Sequence, residues 1–190
     1  MRALALAVVV AACTPDIDAG AYLCGPEQEC PDGLVCSGSD FSCDDSITAT
    51  QFSCTAGSNT TVATATALPP LACVSSVITS TSCLAAGQGD AWIQFSTPAD
   101  CAAVGVTATV TFPYAFESVG IVLADANGAT LAHDGPCATP ANGQSSSCLS
   151  MTLADGSDYT IDVVPEGGGD CDGACNYNQY TLSVQLVTPH

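Results

Sequence analysis

The sequence predicts an all-β fold: an antiparallel β-sandwich preceded by a small disulfide-rich module. Three observations lead there. Apolar and polar residues alternate with period two along several segments, and turn residues separate those segments. No stretch carries a helical period with caps, and thirteen cysteines punctuate the 190 residues.

The first element is residues 1–12. Arg2 precedes an apolar run from Ala3 to Ala12, the layout of a secretory signal peptide. Ten apolar residues as a helix span about 15 Å, half of a hydrocarbon core. A membrane span is therefore not expected. Val10-Ala11-Ala12-Cys13 resembles the lipobox of bacterial lipoproteins: an aliphatic residue, two small ones and an obligatory cysteine. The resemblance implies lipidation of Cys13 and removal of the peptide before it. An ordinary cleavable signal with an incidental cysteine is the alternative.

Residues 13–23 then form the lipidated cysteine and a short polar tether. Residues 24–43 form the module, with Cys24, Cys30, Cys36 and Cys43 separated by Pro26, Pro31-Asp32-Gly33 and Ser37-Gly38-Ser39-Asp40 turns. A segment of this size cannot bury an adequate core and must be stapled. Four cysteines allow three pairings; the crossed one, Cys24–Cys36 with Cys30–Cys43, is favoured here. Residues 44–63, rich in Ser, Thr and Ala, read as a linker.

Residues 64–190 read as the sandwich. Val104, Val106, Ala108, Val110 and Phe112 alternate with Gly105, Thr107, Thr109 and Thr111, the signal of a half-buried strand. The same period runs through Ala91-Ile93-Phe95, Val119-Ile121-Leu123, Leu149-Met151-Leu153, Tyr159-Ile161-Val163 and Tyr180-Leu182-Val184-Leu186. Asn127-Gly128 and Asp155-Gly156 read as hairpin turns. Roughly eight strands around a single core are expected.

The order of these segments resembles the bacterial pre-peptidase C-terminal domain family. The resemblance rests on Gly89-Asp90-Ala91-Trp92-Ile93-Gln94-Phe95, on residues 120–132, on Leu153 to Val163 and on Tyr180 to Val184. It implies a jelly-roll-like form of the sandwich and an accessory role in folding, secretion or substrate adhesion. Where that family often carries an Asp-Leu-Asp-Leu stretch, this chain has Phe116-Glu117-Ser118-Val119-Gly120.

Cysteine usage points to an oxidising compartment. With Cys13 lipidated, twelve cysteines remain for six bridges. Besides the module, sequence proximity suggests Cys83–Cys101, Cys137–Cys148, Cys171–Cys175 and Cys54–Cys73. Zinc is not expected, because no Cys-x-x-Cys occurs and only His133 and His190 could complete a mixed site.

Charge excludes further classes. Arg2 is the one Lys or Arg against nineteen acidic residues, giving a net charge of −18. Loss of the signal would leave no Lys or Arg side chain, so neither nucleic acid nor anionic lipid head groups are expected partners. The expected membrane link is the lipid on Cys13 alone, placing the chain at the outer membrane or cell surface. A surface protein or a polysaccharide is the expected ligand.

No nucleophile elbow, His-Glu-x-x-His or phosphate loop is present. His133 and Asp134 are adjacent in what reads as a loop and do not make a triad. The acids read as scattered in turns, unsuited to paired carboxylate chemistry. Trp92, Tyr114 and Phe116 are candidates for a sugar-stacking patch, with core or rim positions the plainer reading. No organic cofactor is expected. Calcium is the one candidate metal, with Asp170, Asp172 and Asn176 as oxygen ligands in the glycine-rich loop Glu166 to Asn176, which also holds Cys171 and Cys175. The expected role is a non-enzymatic surface lipoprotein that displays a binding or structural module. The alternative is an accessory subunit for a separate secreted hydrolase.

Overall fold

The computed structural model describes residues 18–22, 24, 29–37, 42–45, 55, 57–84, 89–101, 103–113, 118–137, 144–166 and 178–188. Among them, the module contributes β1 (Val35–Cys36) and β2 (Cys43–Asp44), an antiparallel pair. Cys24–Cys36 and Cys30–Cys43 cross-link it in the crossed arrangement. The end of the tether is drawn onto this pair. Gly20 N–H donates to the Cys43 carbonyl at 2.8 Å, and Cys43 N–H donates to that of Tyr22 at 2.7 Å.

The remaining strands are β3 (Thr66–Ala67), β4 (Ile78–Leu84), β5 (Ala91–Ser96), β6 (Val104–Pro113), β7 (Val119–Asp125), β8 (Thr130–His133), β9 (Gly135–Pro136), β10 (Gln144–Leu153), β11 (Asp158–Pro165) and β12 (Asn178–Val187). They form two five-stranded sheets. Sheet one has the order β4-β12-β6-β10-β9 and sheet two the order β3-β5-β11-β7-β8. Every pair is antiparallel except the short parallel contact of β3 with β5. The fold is an all-β sandwich.

Period-two patterning explains the layers. Val104, Val106, Val110, Leu182, Val184 and Leu186 face inward from sheet one; Ile93, Val119, Ile121, Leu123, Ile161 and Val163 do so from sheet two, in one buried cluster. Each such side chain removed from water contributes about 1.5–3 kcal/mol. Phe95 and Tyr159 stack with centroids 5.8 Å apart.

The strands missed by periodicity are polar ones. Ile78-Thr79-Ser80-Thr81-Ser82-Cys83-Leu84 has few apolar residues, yet β4 pairs along β12 as an edge strand. Ser145, Ser146 and Ser147 extend β10 because β6 offers a ladder through Phe112 and Thr111.

Both expected hairpin turns differ in detail. Asp125-Ala126-Asn127-Gly128 does join the paired strands β7 and β8, but Gly128, at φ 84°, closes the turn rather than sitting at its centre. Asp125 Oδ1 accepts the N–H groups of Asn127 and Ala129, and Gly128 N–H donates to the Asp125 carbonyl. A bulge follows between Leu123 and Ala124. This is the four-residue arrangement with glycine last, not a two-residue loop.

Asp155-Gly156 is not a hairpin. It carries the chain from β10 in sheet one to β11 in sheet two. Thr97, 3% exposed, clamps that crossing. Its hydroxyl lies 2.8 Å from the Ala154 carbonyl it donates to, and it accepts Ser157 N–H at 3.0 Å. Tyr159 Oη accepts Ala154 N–H from the other side.

Two expected bridges are corrected. Cys101 joins Cys73, closing 28 residues, rather than Cys83; Cys73 is therefore not the partner of Cys54. Strand direction is the reason. Ser75 bonds Leu186 through both its N–H and its hydroxyl, so residues 73–75 lie beside the start of β6, where Cys101 is. Cys83 lies at the opposite end of β4, beside Gln179. It is disulfide-bonded, to a residue outside those described. Cys137–Cys148 is present and ties β9 to β10.

Thr97→Val keeps the shape and removes the clamp. It should lower unfolding stability by about 1–3 kcal/mol, because the Ser157 amide and Ala154 carbonyl lose a buried partner. Urea denaturation checks this.

Candidate functional site

The outer faces of the two sheets differ in chemistry. On sheet one the outward positions form a grid of hydroxyls. Thr81, Thr181, Thr111 and Ser146 are register partners in one row, and Thr79, Ser183 and Thr109 continue in the next, up to Cys148. Thr81 and Thr181 hydroxyls meet at 3.2 Å. No charged side chain stands in either row. Strands about 4.8 Å apart and alternate residues about 6.7 Å apart give the grid its spacing.

Sheet two presents a different surface. Trp92, Asp162, Val122 and His133 are register partners across β5, β11, β7 and β8. Asp162 is the unusual member: it is 7% exposed, and its Oδ1 is buried without a hydrogen-bond partner. A carboxylate there is deprived of water without compensation. Burial, reinforced by the charge of Asp90, pushes its pKa up to about 7.

Asp90 reaches this surface because it immediately precedes β5, two residues before Trp92 and diagonal to Asp162. Glu166 arrives from the opposite diagonal. It follows β11, is anchored by its N–H donating to the Ser118 carbonyl at 2.7 Å, and lays its carboxylate over Gly120. A Cβ at residue 120 would collide with that carboxylate, so the glycine makes the space. Burial and the neighbouring Asp134 raise the Glu166 pKa. Asp134 is held at the end of β8 by its N–H donating to the Ile121 carbonyl.

Several expected residues have different settings from those read in the sequence. His133 ends a strand rather than lying in a loop, and it is exposed. The acids are not all in turns, since Asp162 stands mid-strand. Trp92 is half-buried: a Cβ built on Gly128 would lie 3.8 Å from its ring and 2.8 Å from Val62 Cγ2. It is a rim residue tucked beside the residue 62–64 turn. Its N–H donates to the Asn59 carbonyl, and Asn59 Nδ2 returns a bond to its carbonyl. Asp125, which sequence read only as a turn residue, is held below the usual carboxylate range by the N–H groups of Ala129 and Asn127. Cys13, Cys54, Cys171, Cys175, Asp170, Asp172, Asn176, Tyr114, Phe116 and His190 lie outside the described residues.

Sequence reasoning missed Asp162, Asp90 and Glu166. One signal was there: aspartate is depleted in strands, and Asp162 sits between Ile161 and Val163. The way Glu166 folds over Gly120 had no sequence signal.

A groove of about 500 Å³ beside β3 is lined by Leu68, Pro69, Pro70, Leu71, Phe95 and Pro98, with no titratable side chain. It offers shape without chemistry.

No family model matches the chain, and no curated protein does. Among solved structures, it is similar to the pre-peptidase C-terminal domain of a collagenase from Bacillus anthracis. The TM-score is 0.43 and the identity 16%, over 63% of this chain and 93% of that one. The neighbour bears the family name that the sequence resembles. At this TM-score and identity it carries no weight on what the chain does.

The Asp162 site sets a pH dependence. An aspartate that titrates near 3.8 unfolded and near 7 folded favours the folded state when protonated. That stability is complete below about pH 3.8 and is lost as pH rises through about 7. In chelator-treated buffer, Asp162→Asn should therefore be more stable than the parent at pH 8, by on the order of 3 kcal/mol. The difference should shrink towards pH 4. Denaturant melts across that range measure it.

Proposed function

We propose that this chain is an exported lipoprotein that displays a non-enzymatic β-sandwich for attachment to polysaccharide. The observation that carries the reading is the grid of hydroxyls on sheet one, Thr79, Thr81, Thr109, Thr111, Thr181 and Ser183. A flat, uncharged, hydroxyl-bearing face can exchange hydrogen bonds with a sugar polymer without desolvating any charge, which is the costly step. Thr109 sits at the centre of the face, with Ser183 on one side and Cys148 on the other.

Export is supported by chemistry as well as by the signal. All nine cysteines among the described residues are disulfide-bonded, which suits a periplasmic or surface setting. The lipobox-like Val10 to Cys13 supplies the anchor in this reading. Among the described residues no helix is long and apolar enough to cross a membrane. Two or more acyl chains on Cys13 would hold the chain, since one binds only reversibly.

Cys13→Ser should move the mature protein from the detergent phase to the aqueous phase in detergent partitioning of membranes. Retention of that variant in the detergent phase would end the lipid-anchor reading. For the ligand, co-sedimentation with insoluble cellulose, chitin and peptidoglycan is the direct measurement. Thr109→Lys places a charge in the middle of the grid and should reduce retention on the bound polymer by about tenfold. Equal retention of parent and variant on every polymer would remove the hydroxyl face from the function.

A further inference from the structure

We propose that the outer face of sheet two is a calcium site, with Asp162 as its buried ligand and Glu166 and Asp90 as its flanking ones. The proposal uses none of Asp170, Asp172 and Asn176, and the site lies on the other sheet from the hydroxyl face.

Placement comes first. Asp162 stands opposite Trp92 on β5 and Val122 on β7. Asp90 is diagonal to it on one side, and the Glu166 carboxylate, laid over Gly120, on the other. Asp134 adds a fourth carboxylate beside Glu166. Four acidic groups thus collect on one sheet face: Asp162 within β11, Glu166 just after it, Asp90 just before β5 and Asp134 just after β8.

Burial is the second, independent observation. Asp162 is 7% exposed, and its Oδ1 makes no hydrogen bond. Buried polar atoms are almost always satisfied, and an orphan at the centre of a carboxylate arc marks a missing partner. The described residues supply no lysine or arginine, since Arg2, the one in the chain, lies outside them. His133 is in the same register row but two strands away, and exposed. The partner therefore comes from solution.

Ligand chemistry selects the ion. The donors are carboxylate oxygens, which suit hard cations and not zinc. Among the described residues, no three of these carboxylates bring ligand oxygens within 4.8 Å of one another. The donors are spread over the face and leave room for water ligands, which suits an ion of flexible coordination. Calcium accepts irregular coordination, six to eight oxygens and several waters. Glu166 is exposed, with its carboxylate over Gly120 and open to an ion from solution.

Trp92 supplies the readout, as the single tryptophan of the chain and the register partner of Asp162. Terbium, a calcium surrogate, titrated into the full mature chain should give saturable emission on tryptophan excitation. Millimolar calcium should displace it. At matched ionic strength calcium should also raise the melting temperature beyond what sodium does. Asp162→Asn stays folded, because it removes an orphaned charge, and should weaken terbium binding at least about tenfold while abolishing the calcium-dependent melting shift. Trp92→Phe should lose the emission yet keep that shift. Full binding by Asp162→Asn, or loss of binding in Asp170→Asn/Asp172→Asn instead, would overturn the proposal. So would the absence of any calcium effect beyond that of sodium.

Discussion

The absence of any lysine or arginine after Arg2 governs how this fold is assembled. Nineteen carboxylates cannot be paired with lysine or arginine, so each must be hydrated, bonded by backbone N–H groups, or left to external charge. The structure contains all three outcomes. Asp155 stands exposed in the turn between β10 and β11, and Asp158 is exposed at the start of β11, where Ser96 Oγ donates to it. Asp125 accepts two backbone N–H groups and thereby shapes the β7–β8 turn. Asp162 receives neither, and its isolation is the most singular electrostatic feature of the described chain.

With no lysine or arginine after Arg2 to pair with the carboxylates, cohesion falls to the apolar interior and the cross-links. The interior is continuous between the sheets because nearly every connection passes from one sheet to the other: β3 to β4, β4 to β5, β5 to β6, β6 to β7, β8 to β9, β10 to β11 and β11 to β12. Such crossings expose backbone polar groups at the sandwich ends. Thr97, Tyr159 and Ser75 satisfy them with side-chain hydrogen bonds. Cys73–Cys101 fastens the same region, and its long loop makes it worth on the order of 3 kcal/mol against the unfolded chain.

That assembly leaves two outward faces of opposite character. β6 and β12, central in sheet one, alternate core residues with Thr and Ser, so their outer side is polar and uncharged. β11, central in sheet two, alternates core residues with Thr160, Asp162 and Val164, and both of its sides are covered along Tyr159–Val163. Trp92 and the residues 59–64 help to cover it. Burial of Asp162 is thus a product of neighbouring segments, not of its own strand.

Strand identity was legible wherever side chains alternated strongly, as from Val104 to Phe112 and from Tyr180 to Leu186, because the pleat alone dictates that pattern. The apolar members of those runs are the core. Polar edge strands such as β4 carried no such mark, since they are held by ladder bonds to a neighbour and not by their own side chains. Pairing was also beyond the sequence: Asp155-Gly156 reads the same whether it turns back within a sheet or crosses to the other. Cysteine proximity misled for Cys83 and Cys101 because β4 carries Cys83 away from the end where Cys73 waits. The acidic surface was decided by tertiary structure alone. Asp90, Asp162 and Glu166 are separated by up to 76 residues in the chain, and only the β5-β11-β7 order, with a glycine at 120, brings them onto one face.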